Sequence, residues 1–414
     1  MRKLFTGKNV TFTKAAFCCA FFALFSIFIQ AQGNFIGKID RPLRYHPENR
    51  DFVIENGKEF FNRPLYGGNT AFRVDGGDKP EFLLYLPGRG GNLKFGIKTA
   101  NGGKWLNDAD KIVSRYRAGS LVYEIHDSLI GKGVLHLTVL ATNETEGLII
   151  RAELQNTTDK IELIWTYGGA NGERGRRNGD IGTEAVPISE FFQLKPEICK
   201  DNKFSIVSNT FTLESKIANI VGVMPKDAKL SIGDANKWNN LNDLLSANPN
   251  NEFPVIVGRL EIKSNNQTYF YWQKFAPNTA IKDIYKIEDL PNVFDKTEKY
   301  FRSISEKVVA DTPDPFINAA VSALNIAADG VWDEEQSAFM HGAVAWRNKL
   351  LGWRGPYAGD ALGWHDRMRR HLEYWATRQN VSPISKEPFK QDATVNFARN
   401  EPELHSNGDI SNSH

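Results

Sequence analysis

Four tryptophans, Trp346, Trp353, Trp364 and Trp375, fall between Ala343 and Arg378, together with Arg347, Arg354, Asp360, His365 and Asp366. Indole and phenol faces pack on the C–H side of a sugar ring, while guanidinium and carboxylate groups bind its hydroxyls. The chemistry this composition suits is saccharide binding; the bland alternative is a helical core that happens to be rich in tryptophan. Trp353 is the candidate stacking platform and Arg354 the candidate hydroxyl donor, with Tyr357, Trp364, His365 and Asp366 beside them. Arg354 has an alternative role as ion-pair partner of Asp360 or Asp366. His341, His365 and His405 can face the same cleft or serve as packing residues. No spacing such as His-Glu-x-x-His occurs, so no catalytic metal is expected, and no cofactor either.

These residues need elements to hold them. The run Gly352–Asp360 is too dense in Gly and Pro for regular structure, and Pro356 pushes its predecessor out of the helical region. A helix is expected after it, with Ala361, Trp364, Met368, Leu372 and Trp375 on one face. Upstream, Asp295–Val309 reads as a helix with Phe294, Tyr300, Phe301 and Ile304 on its apolar side. Thr312-Pro313-Asp314-Pro315 stops the chain, with Asp314 as N-cap and Pro315 in the first helical position of the next helix. There, Ile317, Ala320, Val321, Leu324, Ala327, Ala328 and Val331 form an expected core stripe.

From about Thr70 to Phe275 the period is mostly two, as in Leu135, Leu137 and Val139 alternating with His136 and Thr138. Further strand candidates are Phe82–Leu86, Leu93–Ile97, Leu121–Ile125, Ile217–Val223, Val255–Ile262 and Thr268–Phe275. Leu148–Leu154 and Ile161–Trp165 read as a hairpin across Asn156–Asp159. Many strands with few helical patterns between them predict a large antiparallel β-sandwich. The glycine-rich run Gly168–Asp180 lacks a Lys-Ser/Thr ending, which argues against a nucleotide and for a long surface loop. Asn236–Asn251 reads as a solvent-facing polar insertion.

At 414 residues the chain is long enough for two or three domains. The net charge is +2, and no basic run suggests nucleic acid. Arg2, Lys3, Lys8 and Lys14 precede the apolar run Ala15–Ile29, and Ala31 offers a cleavage site: a secretory signal, with a membrane anchor as the alternative. Its removal takes four cations and no acid, shifting the charge from +2 to −2. Cys18 and Cys19 leave with it, so Cys199 cannot form an internal disulfide. These features predict a secreted, periplasmic or cell-surface bacterial protein with no membrane span after cleavage. They leave the oligomeric state open.

The motifs Trp346-Arg347-Asn348-Lys349, Gly352-Trp353-Arg354-Gly355-Pro356-Tyr357, Gly359-Asp360-Ala361 and Gly363-Trp364-His365-Asp366-Arg367, with His405–Ser413, resemble the six-hairpin, or (α/α)-toroid, glycosidases of bacterial polysaccharide degraders. The resemblance implies a signal peptide over 1–31, a β-sandwich over 32–289, a linker helix over 290–312 and an incomplete α/α toroid over 313–414. It implies a β plus α multidomain fold and a glycoside hydrolase acting on plant or host oligo- or polysaccharides. Too few residues follow Pro313 for twelve helices, so the toroid is expected to be truncated. Similar loops in rhamnosidase-type members follow an acidic Asp-Glu-Arg, where this chain has Arg347-Asn348-Lys349.

Glycoside hydrolysis generally uses two carboxyl groups, one protonating the leaving oxygen and the other activating water or attacking the sugar. Asp360 is the first candidate, with helix capping and substrate binding as alternative roles. Among Asp333, Glu334 and Glu335, which also read as a solvated acidic turn, Glu335 is the second catalytic candidate. Asp409 is a further pocket candidate. Two other classes stay open: a non-catalytic glycan-binding surface protein and a polysaccharide lyase.

Overall fold

The computed structural model describes residues 43–157, 160–176, 184–342, 344, 347–350 and 356–377. The signal segment 1–31, Trp346, Trp353, Arg354, the end of the glycine-rich loop, and His405 and Asp409 lie outside the described residues. Chain contacts divide at Arg44, and everything below belongs to the unit that begins at Tyr45.

Two antiparallel sheets dominate the described residues. The first runs in the order β1 (His46–Glu48), β2 (Asp51–Glu55), β8 (Lys111–Arg117), β9 (Ser120–His126), β10 (Val134–Ala141), β11 (Gly147–Gln155), β18 (Gln267–Phe275), β15 (Asn219–Val223), β14 (Thr210–Glu214), β13 (Lys203–Val207). The second runs β16 (Lys229–Asp234), β17 (Pro254–Ile262), β12 (Ile161–Gly168), β6 (Arg89–Thr99), β5 (Glu81–Tyr85), β4 (Arg73–Gly76), β3 (Arg63–Tyr66), with β7 (Gly102–Trp105) also on β6. A short third sheet pairs β19 (Trp332–Asp333) with β20 (Ala338–Phe339).

The two large sheets pack face to face. Leu135, Leu137 and Val139 of the first share a core with Leu93, Phe95 and Leu163 of the second. Trp165 meets Phe270 edge-on at 4.9 Å between ring centres, and Phe95 meets it at 5.7 Å. Gly258 pairs with Trp165 across the β17–β12 ladder, and a Cβ there would lie 2.0 Å from the indole. The period-two reading of Leu135–Val139 is correct. The hairpin reading of Leu148–Trp165 is not: β11 pairs with β10 and β18, whereas β12 pairs with β6 and β17 in the other sheet. Both strands are buried nearly throughout, so alternation could not tell a hairpin from a crossover between sheets.

Both outer faces are covered. Helix α1 (Ile188–Phe191) lies near β5, where Phe192, just past its end, packs on Phe61 and Tyr85. Helix α2 (Leu241–Ser246) and Trp238 cover β12 and β17 with Leu241 and Leu244. The stretch 236–251 is thus partly core, because its few apolar residues are the ones that face the sheet. Helix α3 (Leu290–Ser305) lays Leu290, Phe294, Phe301 and Ile304 on the outer side of the first sheet, against Leu140, Ile149 and Tyr271.

Helices α4 (Pro315–Gly330), α5 (Pro356–Ala361) and α6 (His365–Ala376) follow. Asp314 caps α4, its Oδ1 accepting from the Phe316 amide at 2.8 Å with Pro315 at the first position, as the sequence predicts. The expected sandwich leading into the first hairpins of an (α/α) toroid is overturned. A toroid needs helices that bury apolar stripes against one another. Instead α3 spends its stripe on the sheet, and α4 buries Ala319, Ser322, Asn325, Ile326 and Asp329. Its expected core residues Ile317 and Leu324 are exposed, at 48% and 63%.

Candidate functional site

A polar seam joins the β3–β4 turn to the segment after α4. Asn69 sits in that turn at φ +49°, a left-handed conformation that Asn tolerates. Its Nδ2 donates to the Asp329 carbonyl at 2.8 Å, and its Oδ1 accepts from Arg367 Nη2 at 3.0 Å. Arg367 Nη1 also donates to Asp329 Oδ1 at 2.8 Å, and Tyr300 Oη donates to Asp329 Oδ2 at 3.2 Å. Burial, reinforced by the Asp329 charge, pushes the Tyr300 phenol up. The Arg367 guanidinium lies 4.5 Å from the Trp364 ring centre and 5.6 Å from that of Trp332. Further along, Arg347 Nη2 donates to Asp333 Oδ2 at 3.2 Å and to the Thr70 carbonyl at 3.1 Å.

Beside this seam is a cavity of about 410 Å³, walled by Glu59, Phe60, Arg73, Asp75, Gly342 and Val344 among others. Arg73 and Asp75 are neighbours on one face of β4, two residues apart, which is why both point the same way. Arg73 Nε meets Asp75 Oδ2 at 3.0 Å, with both side chains buried. Burial pushes the Asp75 carboxyl up; Arg73 opposes that without cancelling it. Arg73 Nη1 donates to the Gly342 carbonyl at 2.7 Å, its guanidinium stands 4.9 Å from the Tyr85 ring, and Tyr85 Oη donates to the Val344 carbonyl at 2.8 Å. The cavity therefore offers a charge-paired guanidinium and carboxylate, a second carboxylate on Glu59, and the phenyl face of Phe60. It is also tied to the first residues of the tryptophan-rich stretch. Groups of this kind can hold a hydroxylated ligand by its edges and one apolar face.

The predicted site residues that are described do not gather here. Asp360 is exposed and lies inside α5, with its Oδ1 3.4 Å from His365 Nδ1. It does not cap a helix starting at Ala361. Asp366 is exposed and pairs with Arg369 at 2.7 Å. Glu335 and Tyr357 are exposed. Trp364 is half-buried, with Arg367 over its ring and Lys307 at 5.9 Å. Asp333 is buried, and its Oδ1 accepts from the Gln336 amide at 3.0 Å. Glu334 accepts from Trp332 Nε1 and from Arg370 Nη1, both at 2.6 Å, which holds its carboxyl below the ordinary range.

Sequence reading missed Arg73, Asp75, Tyr85, Asn69 and His371. His371 is fully buried in α6, and its Nδ1 accepts from the Phe339 amide at 3.2 Å, so that nitrogen carries no proton. The available signal was a charged pair, Arg73 and Asp75, on one face of an otherwise apolar strand.

A family model described as a domain of unknown function (DUF4450) matches residues 86–298. The chain belongs to this family. The DUF4450 match runs from the end of β5 into α3, so Arg73, Asp75 and the tryptophan-rich stretch fall outside it. No curated protein matches the chain. Among solved structures, it is similar to a bacterial glucoamylase complexed with acarbose, at 11% identity and a TM-score of 0.44, covering 78% of this chain and 51% of that one. A GH92 inverting mannosidase from Bacteroides thetaiotaomicron is similar at 7% identity and a TM-score of 0.31, covering 66% of this chain and 37% of that one. The chain thus spans about half the length of the first and little over a third of the second. Both neighbours are glycoside hydrolases, but likeness this distant carries no argument for the chemistry of this chain. Among the described residues no helix is long and apolar enough to cross a membrane, and no group of three or more His, Cys, Asp or Glu could hold a metal ion.

Proposed function

We propose that this DUF4450 chain is carbohydrate-active and binds an oligosaccharide in the cavity beside Arg73 and Asp75, where it acts as a glycoside hydrolase. The observation that carries the reading is that cavity: a buried guanidinium–carboxylate pair, fixed to the Gly342 carbonyl, beside a second carboxylate and an aromatic wall. Val344, also on the wall, leads into the stretch whose tryptophans and arginines suit a sugar. Hydrolysis needs a carboxyl group kept protonated and a second that is ionised. Asp75, raised by burial, suits the first role, and Glu59 is the other carboxylate on the cavity wall. Asp360 and Glu335, both exposed, belong to the same reading as outer residues that meet the glycan.

A second reading is favoured by one observation. The 3.0 Å pairing of Asp75 with Arg73 suits a fixed hydroxyl clamp better than a proton donor, which fits a non-catalytic glycan-binding protein. The test combines an aryl-glycoside panel with oligosaccharide titration, applied to the chain and to E59Q. Turnover that E59Q lowers by about 100-fold or more while binding persists supports hydrolysis. Binding without turnover selects the second reading. Neither turnover nor binding sinks both.

A further inference from the structure

A second cavity, of about 390 Å³, lies under the glycine-rich loop, and its buried charge is Arg89. The loop is built rather than draped. The Gly172 amide donates to the Arg89 carbonyl at 3.0 Å, and the Arg89 amide donates to the Glu173 carbonyl at 2.9 Å. Gly169 and Gly172 take φ of +87° and +75°, which few other residues adopt without strain. Asn202 fixes the loop base, its Oδ1 accepting from the Gly169 and Ala170 amides and its Nδ2 donating to the Ala170 carbonyl at 2.9 Å.

Arg89 itself is only 3% exposed, yet no carboxylate among the described residues stands at ion-pair distance from its side chain. Its Nη1 has one long contact, 3.4 Å to the Gln193 carbonyl, and its Nε is buried without a partner. Phe191 covers it, with the guanidinium 4.6 Å from the ring centre. Burial pushes the guanidinium down to about 10, against the pull of Glu173. A buried guanidinium left this way is costly unless something answers its charge. The other charged groups on the cavity are Lys195, Glu173, Glu190 and Glu197, all exposed at its rim. Rim carboxylates repel a bare multivalent anion, and they accept hydrogen bonds from hydroxyls. The occupant that satisfies both conditions carries one carboxylate and several hydroxyls.

We propose that this cavity binds an acidic sugar, with the carboxylate of a uronate on Arg89 and its hydroxyls on Asn171 and the rim carboxylates Glu173 and Glu190. The proposal rests on the carbohydrate reading above and gives it a substrate class.

The test is calorimetric titration of the whole chain with D-glucuronate and D-galacturonate, their methyl esters, glucose and inorganic phosphate. At least one uronate should bind about tenfold or more tighter than its own ester, because esterification removes the charge that Arg89 answers. R89M should erase that difference. Equal affinity for acid and ester overturns the proposal, as does phosphate binding as tight as the uronate, or undiminished discrimination in R89M. If R89M fails to fold, the acid–ester comparison on the unaltered chain decides alone. A neutral aryl glycoside whose turnover falls in E59Q, alongside no uronate binding, sinks this proposal and leaves the Arg73 cavity standing. Uronate binding that R89M abolishes, in a chain that neither turns over an aryl glycoside nor binds a neutral oligosaccharide, supports this proposal and sinks the Arg73 cavity.

Discussion

The Arg73–Asp75 pair is held together by the impossibility of leaving either member alone. In R73M, Asp75 stays buried with no counter-charge, and the Gly342 carbonyl loses its donor. Removing one partner of a buried pair costs about 3–5 kcal/mol, and chemical denaturation should show a loss of that size. A loss under about 1 kcal/mol would mean that water reaches the pair and screens it. Cys199 gives an independent check on burial. Its thiol is fully buried against Trp238 and Leu244, and burial pushes it up to about 12. The thiolate is the reactive form, so Cys199 should resist thiol-specific reagents at pH 8 in the folded chain and react at once in denaturant. Fast labelling of Cys199 in the native chain would show that the cover formed by α2 opens.

The helices divide into those that the sheets need and those that they do not. Phe294 of α3 is fully buried, 5.8 Å from the Tyr269 ring, with the Arg151 guanidinium 4.3 Å away on its ring. F294A should cost about 3–5 kcal/mol. Leu324 of α4 is mostly exposed, so L324S should fall within about 0.5 kcal/mol of the parent. The reverse ranking would restore the helical core expected from the sequence. That expectation failed for a physical reason. The α4 stripe was read from apolar residues alone, but the helix docks through polar ones: Asn325 Nδ2 donates to the Ser305 and Val308 carbonyls, both at 2.8 Å, and Asp329 takes Arg367. Hydropathy periodicity cannot see a face that is buried because its hydrogen bonds are met. The strands were legible because alternating Leu135, Leu137 and Val139 leave one face no choice but the core. Their partners were not, since which sheet β12 joins depends on β6 and β17, far away in sequence. The site was half legible. The tryptophan-rich stretch announced itself by composition, whereas Arg73 and Asp75 are two ordinary charged residues until the fold buries them.

At the scale of the whole chain, the question is what couples the segment 356–377 to the sandwich. A direct polar link is Arg367, which reaches from α6 to Asp329 at the end of α4 and to Asn69 in the β3–β4 turn. Trp364 and Trp332 pack against its guanidinium, so charge and aromatic contacts depend on the same residue. The Trp375 Nε1 bond to the Leu350 carbonyl, at 2.8 Å, is a second tie that does not touch the sheets. If this is how the segment is held, R367M should loosen it without weakening the core. Charge-assisted hydrogen bonds of this kind contribute about 1.5–3 kcal/mol each. Amide exchange over 356–377 should therefore quicken by about tenfold or more in R367M, while β10, β11 and β12 keep their protection. The main thermal transition, which reports the shared core of the two sheets, should move little. Faster exchange throughout the strands would mean that Asn69 and Asp329 support the sandwich itself. Unchanged exchange over 356–377 would mean that Trp375 and His371, rather than Arg367, anchor the segment, and that the polar seam is a consequence of docking rather than its cause.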